Sequence, residues 1–109
     1  MIDHKFGEIV LIKFPFTDNL TFKKRPALII KDTNDGDVIV CRITSKLYNT
    51  EYDIALKNWD QYGLKLPSVI RVHKIASIEK DMIDVKLGDV SNSIKFEVGN
   101  IIKRILSST

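Results

Sequence analysis

The sequence predicts a mainly β fold, a small and strongly curved antiparallel sheet or partial barrel with one helix at its C-terminal end. Three observations predict it. Short runs rich in β-branched and aromatic residues alternate with turn residues from Gly7 to Val90. A helical period occurs only in the last stretch. At 109 residues the expectation is one domain, residues 1–109, with a single core.

Each element follows from local chemistry. GEIVLIKF, residues 7–14, alternates loosely and predicts the first strand. PFTDNLTFKK, residues 15–24, breaks the pattern with Pro15, Asp18 and Asn19; it reads as a loop, long for a hairpin and therefore a candidate for function. PALIIK is the second strand, and TNDG at 33–36 turns the chain into the third, DVIVCRIT. EYDIAL, after the polar SKLYNT, is a further hairpin arm. Residues 57–66, with Trp59 and Tyr62, read as a turn or short helix, and Pro67 opens the strand SVIRVHKI. ASIEK extends or bends that strand, and VKLGDV is a short segment broken at Gly88. Ser91 supplies the N-cap of a helix in which Ile94, Val98, Ile101, Ile102 and Ile105 form one apolar stripe for docking on a sheet. Gly99 inside it costs about 1 kcal/mol against Ala.

Composition narrows the class. Hydrophobic residues at 44% and charged residues at 28% are the balance of an ordinary globular domain and argue against a disordered or membrane chain. MIDHKFGEIV has no apolar secretory core, and no stretch is long enough to cross a bilayer, so a cytoplasmic protein without a membrane partner is expected. Cys41 is the single cysteine, which excludes an internal disulfide and a cysteine-rich zinc site. Its alternating apolar surroundings predict a packed core thiol. The net charge of +3 is compatible with a nucleic-acid partner but does not establish one.

The position of that charge is more informative. Lys23, Lys24 and Arg25 directly precede Pro26 and the apolar strand PALIIK. From the residues alone they are either solvated loop charges or phosphate ligands. Pro26 restricts Arg25 to an extended backbone, which aims its side chain from the strand mouth. Thr44 closes the third strand and from the residues alone is an ordinary β-former. Phe14 is expected in the core, while Phe16 and Phe22 divide evenly between core packing and stacking on an unpaired base.

GEIVLIKFPFTDNLTFKKRPALII, CRITSK, LPSVIRVHKIASIEKDMI and LGDVS occur in an order that resembles the MazF/PemK family of toxins from bacterial toxin–antitoxin systems. The likeness spans nearly the whole chain, and its opening motif is the most specific part. It implies a small SH3-like barrel, related in fold to CcdB, and a metal-independent, sequence-specific endoribonuclease acting on single-stranded RNA (mRNA). The implied products carry 2′,3′-cyclic phosphate and 5′-OH ends. No cofactor is implied. The partners implied are RNA, a cognate antitoxin with an acidic, apolar tail that folds on binding, and a second copy of the chain in a homodimer.

Carried over to this sequence, the resemblance implies Arg25 and Thr44 as catalytic residues. Arg25 would stabilise the pentacovalent phosphorane, since its planar fork matches phosphate oxygens and keeps its charge. Thr44 would hold a non-bridging oxygen or the attacking 2′-OH, with Ser45 as the alternative hydroxyl. Lys23, Lys24 and Lys46 would contact the RNA backbone, and Phe16 and Phe22 its bases. His73 departs from the acidic residue usual at that point of the family and is expected to be structural, either solvated or hydrogen-bonded. Two competing functions are a gyrase poison of the same fold and a catalytically silent RNA-binding or protein-interaction module.

Overall fold

The computed structural model describes residues 3–15 and 22–107. Its strands are β1 (Glu8–Pro15), β2 (Phe22–Asp32), β3 (Asp37–Thr44), β4 (Asp53–Leu56), β5 (Ser68–Glu79) and β6 (Ile83–Asp89). Short 3₁₀ turns at Trp59–Tyr62 and Lys80–Met82 flank β5, and the helix α1 spans Asn92–Ser107. The strands form one antiparallel sheet in the order β4-β5-β3-β2-β1-β6, with β4 and β6 at its edges among the described residues. The sheet is thus curved but not closed into a barrel.

Alternation along the strands fills both faces. On one face Ile9, Leu28, Cys41, Ile43, Ile70 and Val72 are buried with Val98 and Ile101 of α1. Ser91 Oγ accepts the Ile94 N–H at 3.2 Å, the cap expected for that helix. On the other face Val10, Ile12, Ala27, Ile29, Val38 and Val40 are buried without a helix, covered by Ile78, Met82 and Ile83. Register shifts in β1–β6, β2–β3 and β3–β5 bend the strands, and this bending lets one sheet supply cover for its own second face. Cys41 is fully buried as predicted, and burial pushes its thiol up to about 12.

Two boundaries differ from the sequence reading in ways that matter for function. β2 begins at Phe22, four residues before PALIIK, so Lys23, Lys24 and Arg25 belong to a strand and not to a loop. Cross-strand pairs Lys13↔Lys24, Phe14↔Lys23 and Pro15↔Phe22 with β1 carry the hairpin that far. Pro26 is tolerated because the ladder to β3 ends one residue later, at Ala27↔Arg42, so no bond to β3 is required of it there. β5 runs on to Glu79, so ASIE extends the strand. No helix among the described residues is long and apolar enough to cross a membrane.

Candidate active site

The β2–β3 register brings together the two residues expected to do chemistry. The ladder pairs Ala27 with Arg42. The ladder ends there, and Arg25 and Thr44 each lie two residues past it, on the face that their strands share with Ala27 and Arg42. Both line a groove of about 430 Å³, together with Lys23, Lys24, Ser45 and Lys65. Its described lining includes four cations and neither a carboxylate nor an imidazole. This is a surface built for an anion.

The individual side chains are placed differently. Arg25 is exposed, with its guanidinium available to a ligand. Thr44 is half-buried, and its Oγ1 accepts the Lys46 N–H at 3.2 Å, which orients the hydroxyl and leaves its O–H to donate. Ser45 lines the same groove, so the structure keeps both hydroxyls at the site. Lys24 lies in the groove wall but its Nζ pairs with Asp84 at 2.9 Å. Lys46 is outside the groove lining, with its ammonium 5.0 Å from the centre of the Tyr48 ring. Phe16 and the side chains of Phe14 and Phe22 lie outside the described residues.

A buried ion pair on the neighbouring strands orders the segment that follows Thr44 and Ser45. Arg71 Nε donates to Asp53 Oδ1 at 2.9 Å, and its guanidinium lies 3.5 Å from the centre of the Tyr48 ring. Asp53 also accepts from Thr50, through both the backbone N–H at 3.0 Å and Oγ1 at 2.6 Å. Burial raises the Asp53 carboxyl, but the hydrogen bonds from Thr50 and Arg71 outweigh it and hold the group below its ordinary value. A hydrogen bond from Lys46, aided by Arg71 and Arg42, lowers the Tyr48 phenol. The segment between β3 and β4 is therefore tied to β5 by ionic and ring contacts.

Sequence reasoning missed this ion pair, and it missed Lys65, because each residue becomes informative only once the fold has placed it. His73 is half-buried, and its Nδ1 is buried with no hydrogen-bond partner in the structure. The ring lies 5.0 Å from that of Tyr52, and burial first, then Arg71 and Lys74, lowers its pKa. It does not line the groove.

A second, mostly apolar groove of about 310 Å³ adjoins the first through Arg25. Ile12, Val40, Ile75 and Ile78 form its walls, and Arg25, Arg42 and Lys74 contribute charge. Among the described residues no group of three or more His, Cys, Asp or Glu is placed to hold a metal ion.

The family model described as PemK-like, MazF-like toxin of type II toxin–antitoxin system matches residues 5–106. Comparison with curated proteins returns no match. Among solved structures, an endoribonuclease in complex with its cognate antitoxin from a mycobacterial species superposes with a TM-score of 0.76 at 17% identity, covering 98% of each chain. The MazE–MazF structure from Deinococcus radiodurans gives 0.78 at 17% identity over 97% of this chain and 98% of that one. The Mycobacterium tuberculosis toxin MazF-mt6 gives 0.73 at 19% identity over 91% and 95%. These likenesses establish a shared fold.

Proposed function

Because the chain belongs to the PemK-like, MazF-like toxins of type II toxin–antitoxin systems, we propose that it is a toxin that cleaves single-stranded RNA, with mRNA as its target. The observation that carries this reading is that Arg25 of β2 and Thr44 of β3 line one groove together with several cations. Similar folds that are endoribonucleases, one of them in complex with a cognate antitoxin, support it. A target in mRNA places the protein in the cytoplasm.

The proposed reaction is a transesterification. The ribose 2′-oxygen attacks the adjacent phosphorus and loses its proton, the bond from phosphorus to the 5′-oxygen breaks, and that oxygen takes up a proton. A 2′,3′-cyclic phosphate and a 5′-OH result. DNA lacks the nucleophile and is spared at this step. Negative charge builds on the phosphorane oxygens, where Arg25 supplies fixed positive charge and Thr44 a pre-oriented donor. Ser45 is the neighbouring hydroxyl, and Lys23 and Lys65 hold flanking phosphates. Lys46 joins them after turning away from Tyr48.

The antitoxin would cover the adjoining apolar groove with hydrophobic side chains and meet Arg25, Arg42 and Lys74 with carboxylates. One segment bound that way occupies Arg25 and blocks the reaction. A homodimer is proposed from the family likeness.

The test is to incubate the purified protein with long mixed-sequence RNA in EDTA, beside Arg25→Ala, and to map the fragment ends. Cuts at one recurring short motif with cyclic phosphate ends are expected from the parent, and a loss of at least about a hundredfold in rate from the variant. Intact RNA with the parent protein would overturn the reading and leave the gyrase poison or the silent module.

A further inference from the structure

Lys13 and Lys24 are direct cross-strand partners on β1 and β2. Two like charges in that position repel each other. The carboxylate of Asp84, on β6, stands between them with one oxygen for each ammonium: Oδ1 at 3.6 Å from Lys13 and Oδ2 at 2.9 Å from Lys24. Asp84 is thus bound as a small oxyanion would be, through two oxygens and two ammonium groups. The hydrogen bond from Lys24 holds its carboxyl below the ordinary range.

Both lysines keep about half of their side-chain surface exposed, at 45% and 55%, whereas Asp84 keeps 21%. Half-exposed pairs of this kind are weak, so an incoming anion can exchange for the internal one. Lys24 also lines the cleavage groove, as Arg25 does, although the two are consecutive on β2 and their side chains leave the strand on opposite sides. An RNA strand lying in that groove with its scissile phosphate at Arg25 can bring another of its phosphates to Lys24, at the edge of this cluster.

We propose that Lys13 and Lys24 form a second phosphate subsite beside the cleavage groove, and that Asp84 occupies it as an internal anion which RNA must displace. The inference rests on the reading of the chain as an RNA-cleaving toxin, and it adds a residue that weakens substrate binding. Asp84 sets a threshold that a strand meets only when it places a phosphate at Lys24 while it engages Arg25. Isolated anions and strands that reach one position alone are held less well.

The experiment measures binding of a short, labelled, mixed-sequence RNA with every ribose 2′-O-methylated, which blocks the attacking oxygen and separates binding from cleavage. Asp84→Asn keeps the side-chain shape and removes the competing charge. It is expected to tighten binding about fivefold at low salt. Between about 50 and 200 mM salt, its plot of log affinity against log salt should be steeper by about 0.7, the value for one further neutralised phosphate on a single strand. Lys24→Gln should weaken binding more in the Asp84→Asn background than in the parent, because in the parent Asp84 already takes up part of that charge. This comparison holds even if Asp84→Asn lowers stability, provided that the single and the double variant both fold.

Unchanged or weaker binding by Asp84→Asn, while the parent cleaves unmodified RNA, would overturn this inference alone and leave Asp84 as a charge that merely relieves the lysine pair. Absence of RNA binding and cleavage in every variant would overturn the functional reading together with it.

Discussion

Thr44 shows how much a single side chain depends on its neighbours. Its Oγ1 already accepts the Lys46 N–H, so the hydroxyl is oriented before any ligand arrives, and what it offers a phosphorane is a donor. Without a carboxylate or imidazole in the described groove lining, it has no partner there to make it a base. Thr44→Ala should lower the single-turnover cleavage rate by about ten- to a hundredfold, and Thr44→Ser should recover most of it. A rate unchanged in Thr44→Ala would move the role to Ser45, which lines the same groove. Arg25 and Thr44 stood out in the sequence as candidates because the residues around them resemble a family opening and a strand end. His73 was legible only as a residue out of pattern, since nothing in HKIAS signals that it falls among the extra residues of β5 between Arg71 and Ile75, or that its Nδ1 is buried without a partner.

At the scale of elements, the segment between β3 and β4 derives its order from β5. Arg71 is 8% exposed and opposes Arg42 across the β3–β5 ladder, so its charge must be answered nearby, and Asp53 answers it. Asp53→Asn leaves that guanidinium buried beside a neutral amide. The expected cost is about 3 kcal/mol, read from the urea midpoint. Slower cleavage should accompany it, because Ser45 and Lys46 lose their anchor through Tyr48. A midpoint equal to the parent's would show that Arg71 is satisfied without Asp53. Strands such as DVIVCRIT were readable from alternation and turn residues alone, and β3 begins and ends where that reading put it. β2 was not, because Lys23 to Arg25 look like loop residues until their pairing with β1 is known. Hydrophobic period reports burial, and those three side chains are exposed on a strand that is nonetheless paired.

Among the described residues several carboxylates are paired with nearby cations, whereas of the cations that line the groove only Lys24 stands in an ion pair. Asp32 is the clearest of these carboxylates, because it ties together three distant parts of the chain. It accepts the His4 N–H at 2.9 Å and the Asn34 N–H at 2.9 Å, and it pairs with Lys80 Nζ at 2.9 Å. Composition could report only a net charge of +3; which carboxylates are spent inside and which cations are left facing a groove emerges from topology. The backbone N–H of His4, then Lys80 and the N–H of Asn34, hold the Asp32 carboxyl down from 3.8 to about 2. A carboxyl held below its unfolded value adds stability that is fully present above that value and disappears as the pH falls through the folded one. The urea midpoint should therefore fall as the pH drops from 3.8 toward about 2. Asp35, Asp53 and Asp84 are shifted in the same direction and add to the slope. Asp32→Asn should lower the midpoint at neutral pH, since it unties the N-terminal segment, the β2–β3 turn and Lys80 together. It should also flatten the acid limb, because the group that took up a proton on unfolding is gone. A variant whose midpoint drops at neutral pH but whose acid limb keeps the parent's slope would assign that limb to the other three carboxylates. Asp32 would then act through hydrogen bonds that an amide cannot replace, and its charge would contribute little.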